Sequence, residues 1–573
     1  MKFHTVRNYK KENDNLLYFA LRCEEMLFHY SIDMVRVPLL NTHQLIKEYI
    51  AVYEDKNIND QGRRTHLSTI FEEMYSSFEN DIILKKVFKD DLPRFLGMLK
   101  TSNETDLLRS LRYFDSLMSQ KRYFSWCCKL IKDYAANPKA KDIMEELVCC
   151  FLPELIYYGY SAEYIYYIVI LKFFVSETDA ITTLNSFFDT FNFKKSSYNV
   201  YIGISHNVMD LRSCIEKRFN ATFEDDGQFS KYRMKNKKNG IVKFNNIESM
   251  DRNRAMDSAY YKLSLVLEMK KLLSHSNALK VENKGMVFDV EKETYSFTEI
   301  HKKNFNVIRE KYDNFPQTVD SILVNIVRNA KDYRSIKKII ELHNSALSIN
   351  DLRSGFLGLW SILEVACQAS SRSSKMDRIL EVIMPVIKKD YLKGTMEYLE
   401  KLIKDNSAET YKHILEKVAG DSDTQKITKC VFLPEYQELR NDVYSRLELF
   451  PVIRNRIYKI NQTYADSKKL CCMMEEYSQK VKWNLYRMYR ARNSIVHSGE
   501  APENLKSLGE HLHIYVDSIF YEILYRISEK GLMTVENALV DTDIFCKKYF
   551  EILNSTSEMD ENILDKLAER TLF

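Results

Sequence analysis

The stretch "RMYRARNSIVHSGE", residues 487–500, decides how the C-terminal half of the chain is read. Arg487, Arg490 and Arg492 crowd one short segment with no acid from 482 to 492, and the segment runs out at His497 and Gly499. It closes the longer run "LCCMMEEYSQKVKWNLYRMYRARNSIV" (470–496), whose apolar residues recur at three- and four-residue spacing and predict one long helix. Gly499 and Pro502 supply its stop. Like charges one turn apart on a helix repel, so the crowding needs a reason. Either this is a solvated basic face, or these residues meet a phosphodiester.

Working outward, the same half reads as helical throughout. "SGFLGLWSILEVACQ" (354–368) is amphipathic, with Leu357, Trp360, Leu363 and Cys367 on its apolar face. Glu364 follows Trp360 by four residues, so it lies beside that face, where a carboxylate needs a partner. "SSRSSK" (370–375) reads as the loop that follows. "VIRNRIYKI" (452–460) precedes the basic helix, and "NLKSLGEHLHIYVDSIFYEILYRI" (504–527) follows it.

The pattern differs upstream. "NVYIGISH" (199–206) and "GIVKF" (240–244) are β-rich, and "ALKVENKGMVFDV" (278–290) reads as a hairpin around Asn283–Gly285. With the helical stretch "AMDSAYYKLSLVLEMKKLL" (255–273) they predict a small α+β module. Within it, "KYRMKNKKNGIVK" (231–243) holds six basic residues and no acid. Lys235, Lys237 and Lys238 could contact RNA phosphates there, against the alternative of a solvated loop. Residues 1–195 read as helix after helix, as in "LLYFALRCEEMLFHY" and "HLSTIFEEMYSSF". The expected architecture is therefore mainly α: a helical N-terminal region (1–195), a small α+β module (196–316) and a helical C-terminal domain (317–573).

Composition agrees. Only 14 glycines and 9 prolines punctuate 573 residues, about a third of ordinary usage, which favours long helices over tight hairpins. A net charge of +4 neither demands nor excludes nucleic acid, so a basic site must be local. The eleven cysteines include three adjacent pairs but no Cys-x-x-Cys spacing, which suits core packing in a reducing compartment better than a zinc site or disulfide frame. The start "MKFHTVRNYKKENDN" is polar, and the apolar run "YIYYIVILKFFV" (164–175) is short, carries Lys172 and reads as a buried helix. No secretory leader or membrane span is expected, and the location is taken as cytoplasmic.

Arg492 and His497 by themselves are weak evidence, because Arg22 and His29, and Arg36 and His43, supply looser versions of the same pair. Asn493, directly after Arg492, and the crowded arginines upstream distinguish the C-terminal pair. Ile495 and Val496 could anchor the segment while the polar residues reach a cleft. On a straight helix, positions five apart diverge by about 140°, so the pair would converge only if the helix bends or a second subunit completes the cleft.

"WNLYRMYRARNSIVHSG" (483–499) resembles the signature of the Apea-like HEPN family, the higher eukaryotes and prokaryotes nucleotide-binding domain. "LWSILEVAC" (359–367) resembles the family's LW-x-x-LE helix, and "FPVIRNRI" (450–457) its approach to the motif helix. The resemblance spans residues 350–530. It implies a helical bundle that forms a homodimer, and a metal-independent endoribonuclease of the antiphage or abortive-infection type, answering to an unknown infection-derived trigger. Catalysis would fall on Arg492, Asn493 and His497, with Glu364, Arg490 and Arg487 in support and with no metal or cofactor.

Those residue types suit RNA cleavage independently. RNA carries its own nucleophile in the 2′-hydroxyl. A histidine exchanges protons near neutral pH, and an arginine fork stabilises charge on phosphate oxygens. Two alternatives use the same residues without turnover: an RNA-binding module, or a dimerisation scaffold in a defence complex.

Overall fold

The scarcity of glycine and proline leaves long uninterrupted helices, and the computed structural model of the chain is mainly helical with one small antiparallel sheet. It describes the chain apart from residues 1, 6–12, 29–39, 56–59, 120, 176–179, 206–207, 209–210, 225–239, 275–280, 301–322, 325–332, 350, 368–373, 465, 531–533, 556–559, 562–563 and 565–573. The 370–373 part of the expected loop and Lys235, Lys237 and Lys238 of the basic stretch lie outside the described residues.

The backbone clusters into two units, Met1–Pro153 with Lys303–Phe573, and Glu154–Lys302. This division differs from the three consecutive regions expected from sequence. Residues up to Pro153 join the C-terminal half, while residues 154–195 join the α+β module. Charged residues tie the first unit together across hundreds of positions. Arg454 pairs with Asp14, and Arg456 with Glu25, which also accepts from the Tyr398 hydroxyl. Such partners leave no local signature.

In the first unit, the N-terminal helices are α1 (Asp14–Phe28), α2 (Thr42–Glu54), α3 (Asp60–Asn80), α4 (Ile82–Phe88), α5 (Asp91–Thr101), α6 (Glu104–Met118), α7 (Arg122–Ala135) and α8 (Lys141–Tyr157), the last running across the boundary. Polar caps set the starts of α2, α4 and α6. Asn41 and Gln44 form a reciprocal capping box on α2, and Asp81 accepts from the Ile83 and Leu84 amides of α4.

The second unit begins with α9 (Ala162–Val169), a π-helical turn (Ile170–Val175) and α10 (Ala180–Asp189). The apolar run at 164–175, expected to be buried, is amphipathic. Ile165, Ile168, Val169 and Phe173 are buried, while Tyr167, Leu171 and Val175 are exposed. No described helix is long and apolar enough to cross a membrane. Next come β1 (Ser196–Ile204), α11 (Arg212–Phe219), β2 (Ala221–Glu224), β3 (Gly240–Ser249), α12 (Arg252–Ser274), β4 (Lys284–Asp289) and β5 (Thr294–Glu299). The sheet order is β2-β3-β1-β4-β5, antiparallel at each pairing. Val200, Ile202, Val242, Phe244 and Val287 pack against Met256, Ala259 and Leu263 of α12.

The hairpin expected around Asn283–Gly285 falls elsewhere. β4 pairs with β5, so the chain reverses after Asp289, whose Oδ1 accepts from the Glu291 and Lys292 amides. Gly285 lies inside β4 for a steric reason: a Cβ there would stand 2.7 Å from the Tyr201 carbonyl oxygen and would collide with Met256 Cε.

The C-terminal helices of the first unit are α13 (Tyr333–Ser348), α14 (Leu352–Ala366), α15 (Lys375–Asn406), α16 (Ala408–Lys417), α17 (Asp423–Phe432), α18 (Gln437–Arg446), α19 (Pro451–Tyr464), α20 (Ser467–Ser498), α21 (Leu505–Lys530) and α22 (Val535–Ser555). Helices α13, α14, α20, α21, α22 and the start of α15 share one core, including Trp360, Leu363, Leu485, Met488, Leu512 and Ile519. On α14, Trp360, Leu363 and Cys367 are buried as expected, and Phe356 and Leu359 join them, whereas Leu357 is only partly buried.

Candidate active site

The helix that carries the motif, α20, is continuous from Ser467 to Ser498, and both ends are capped. Asp466 accepts from the Lys468 and Lys469 amides, and Gly499 closes the helix at φ 72°, donating to the Ile495 carbonyl at 3.1 Å. Leu470, Met474, Val481, Leu485, Met488 and Ile495 make its buried stripe. The motif segment is therefore unbroken α-helix through Ser498, with Arg492 and His497 on the same run of turns. Five residues of rise separate them by about 7.5 Å along the axis and about 140° around it.

The acids missing from the basic segment come from the N-terminal helices. Arg487, buried on the stripe, donates to Glu48 from Nε at 2.9 Å and from Nη2 at 2.8 Å, and to Glu73 from Nη2 at 2.6 Å. Arg490 Nη2 donates to Glu48 Oε1 at 2.7 Å. Burial raises the Glu48 carboxyl, but the charges of Arg487 and Arg490 and their hydrogen bonds outweigh it, holding the group down at about 2. Glu73 moves the other way, because burial outweighs its single contact with Arg487. Trp483 Nε1 adds a hydrogen bond to Glu72 at 3.3 Å. Two of the three crowded arginines thus join helices α2 and α3 to the motif helix.

Aromatic packing holds the next layer. Tyr489 stacks on Trp360 with ring centroids 5.9 Å apart, and His66 of α3 lies 6.1 Å from Tyr489 on another side. Burial and the nearby Arg490 charge lower the His66 imidazole to about 4. Behind the motif, Asn484 hydrogen-bonds His511 and Tyr515 of α21, and burial, aided by Arg487, lowers His511 to about 3.

Glu364 has the partners its position demanded. It accepts from Trp360 Nε1 at 2.6 Å and from Lys375 Nζ at 3.0 Å. Its Oε1 stands 3.8 Å from Arg492 Nε, close enough for attraction and too long for a hydrogen bond. Arg490 is committed to Glu48 instead. Arg492 also donates from Nη1 to Asn493 Oδ1 at 3.2 Å, so these two neighbours are oriented together. His497 is exposed in the last turn of α20 and makes no hydrogen bond or ion pair among the described residues. Val496 beside it is 47% exposed, so only Ile495 of the expected anchor pair is buried.

The structure thus brings Arg492, Asn493 and Glu364 together, leaves His497 one and a half turns on, and draws Arg487 and Arg490 into a separate network. Glu48, Glu73 and His66 were not singled out from sequence. The available signal was physical: acids among buried neighbours such as Leu45 and Tyr49, matched by an arginine surplus at 482–492. Of the looser Arg–His pairs, Arg22 is bound between Glu25 and Glu145, and His43 is buried beside Asp115. Arg36 and His29 lie outside the described residues. One group with metal-ligand composition exists among the described residues, His343, His513 and Asp517, and it includes no motif residue.

Comparison with family models, with curated proteins and with solved structures returns no match for this chain.

Proposed function

We propose that this chain is a metal-independent endoribonuclease of the HEPN type, acting as an antiphage or abortive-infection effector. The observation that carries the reading is selective neutralisation at one helix end. Arg487 and Arg490 are consumed by Glu48 and Glu73, while Arg492 stays partly exposed beside an anchored acid and His497 reaches solvent. A basic helix serving only as a solvated face has no need of that sorting.

In the proposed reaction His497 removes the 2′-hydroxyl proton, and the 2′-oxygen attacks the adjacent phosphorus. The P–O5′ bond breaks, and the leaving 5′-oxygen takes a proton from a second acid. Arg492 stabilises the charge that builds on the non-bridging oxygens. Glu364, held by Trp360 and Lys375, is a positioning residue that aligns the guanidinium, and Asn493 fixes it from the other side.

The unbroken helix supports a two-copy site. One chain cannot aim both groups at one phosphate across about 140°, so a homodimer would pair Arg492 of one copy with His497 of the other. The exposed Val496 gives that contact an apolar element. The lysines at 235, 237 and 238 remain candidates for guiding RNA into the cleft.

A non-catalytic RNA-binding module or scaffold is the second reading, favoured by the loss of two arginines to internal ion pairs, which leaves less charge for chemistry. RNA cleavage in excess EDTA decides between them. Wild type should cut and His497→Ala should not; equal rates would remove the enzymatic reading.

A further inference from the structure

We propose that His343, His513 and Asp517 form a binding site for a transition-metal dication of the zinc class, bridging helices α13 and α21. This goes beyond the RNase reading and uses none of its groups.

His513 and Asp517 stand one turn apart on α21 and therefore share a face. His343 reaches the same point from α13, 174 residues away from Asp517 in sequence. His343 Nε2 lies 3.0 Å from Asp517 Oδ1, and His513 Nε2 lies 3.6 Å from the same oxygen. All three donor atoms fall within 4.8 Å of one another. Around a tetrahedral zinc ion with bonds of about 2.0–2.2 Å, ligand atoms sit roughly 3.3–3.6 Å apart, so the 3.6 Å spacing to Asp517 fits and the 3.0 Å one needs only a small opening. The imidazole rings fan at 48° with centroids 5.3 Å apart, so their nitrogens converge without the rings stacking flat.

The environment suits a metal. Side-chain exposure is 19% for His343, 4% for His513 and 8% for Asp517, which gives a sheltered site with one open edge. Both imidazoles face the same carboxylate oxygen of Asp517, which places two nitrogens and one oxygen around a common point. Two imidazoles and one carboxylate match the borderline preference of zinc, cobalt and their neighbours, whereas calcium and magnesium prefer all-oxygen shells.

Three protein ligands leave a fourth position for water or an exogenous group. The layering suggests what the ion would hold. Helix α13 packs on α14, and α14 packs on α21. A metal joining the two outer helices would clamp the middle one, which carries Trp360 and Glu364. It would act as a fastener of the bundle, remote in role from proton transfer.

The test uses the full chain, stripped with chelator, kept reduced and titrated with Co²⁺ while visible absorption is followed, then with Zn²⁺ by calorimetry. The exposed thiols Cys214 and Cys472 offer competing ligands, so the titration is run in a Cys214→Ser/Cys472→Ser background. One saturable equivalent is expected, without sulfur-to-cobalt charge-transfer bands. His343→Gln and Asp517→Asn keep side-chain size and hydrogen bonding, and each should weaken binding at least about tenfold. Circular dichroism checks folding; should Asp517→Asn misfold, His343→Gln at the open edge carries the test. The proposal is overturned by absence of saturable binding, or by unchanged affinity in His343→Gln. Metal binding is read directly, so the result stands whether or not the chain cuts RNA.

Discussion

Glu48 grips Arg487 with both carboxylate oxygens, at 2.9 Å and 2.8 Å, across 439 residues of sequence. The pair shows that an arginine crowd on one helix has two trades. Part of it is mortar for the N-terminal helices, and only the remainder faces outward. The distinction can be measured residue by residue.

Arg492→Ala and His497→Ala should each reduce RNA cleavage by at least about a hundredfold, as expected for a lost transition-state donor or proton acceptor. Denaturation midpoints should barely move, since neither residue is buried. Arg492→Lys should also be impaired, because an ammonium cannot present the planar fork. A gel assay showing wild-type rates in the alanine variants would end the assignment.

Arg487→Ala should behave oppositely. It leaves Glu73 without its arginine and Glu48 with Arg490 alone, and removing one partner of a buried ion network costs about 3–5 kcal/mol. Urea titration should show the loss, whereas a mere surface arginine would cost almost nothing.

Acid should loosen this interface before it affects most carboxylates. His511 and His66 are held at about 3 and about 4 in the folded chain, below the ordinary histidine value of about 6.5. Between those values the unfolded chain binds more protons, so stability is full above about pH 6.5 and falls as the pH drops through 4 toward 3. His511→Gln should flatten that slope in thermal melts taken from pH 7 to 4. An unchanged slope would mean that the two rings do not remain neutral in the fold.

A two-copy site makes a complementation test possible. Inactive Arg492→Ala and inactive His497→Ala, mixed and allowed to exchange subunits, should regain part of the activity through one intact mixed cleft. The RNA products should carry 2′,3′-cyclic phosphate and 5′-hydroxyl ends. Light scattering that finds an active monomer would refute the composite site.

Gly285→Ala should destabilise the sheet unit by about 1–3 kcal/mol, since the new methyl collides with the Tyr201 carbonyl and Met256. Local amide exchange in β1 and β4 would report it.

Much of this was legible in the residues themselves. Gly499 marked the end of α20, β-rich runs marked β1 and β3, and the position of Glu364 beside Trp360 announced a carboxylate in need of donors. What stayed hidden depends on distance in the chain. Nothing near Arg487 names Glu48, and nothing near Asp517 names His343. The β4–β5 reversal was misplaced because Asn-Lys-Gly resembles a turn, while the glycine is there to let two backbones approach. That α20 runs unbroken through the motif was undecidable from periodicity, which continuous and interrupted helices share.

The pairing of Glu48 with Arg487 also sets a timetable. A ribosome adds about 5–20 residues per second, so 439 intervening residues take on the order of tens of seconds to emerge. For that interval α2 and α3 wait with two acids and no counter-charge, and the motif helix does not yet exist. If the chain is a toxin, its cutting edge is the part made late, and it can be seated only on helices already delivered. Unfinished chains released early would carry the seat without the blade.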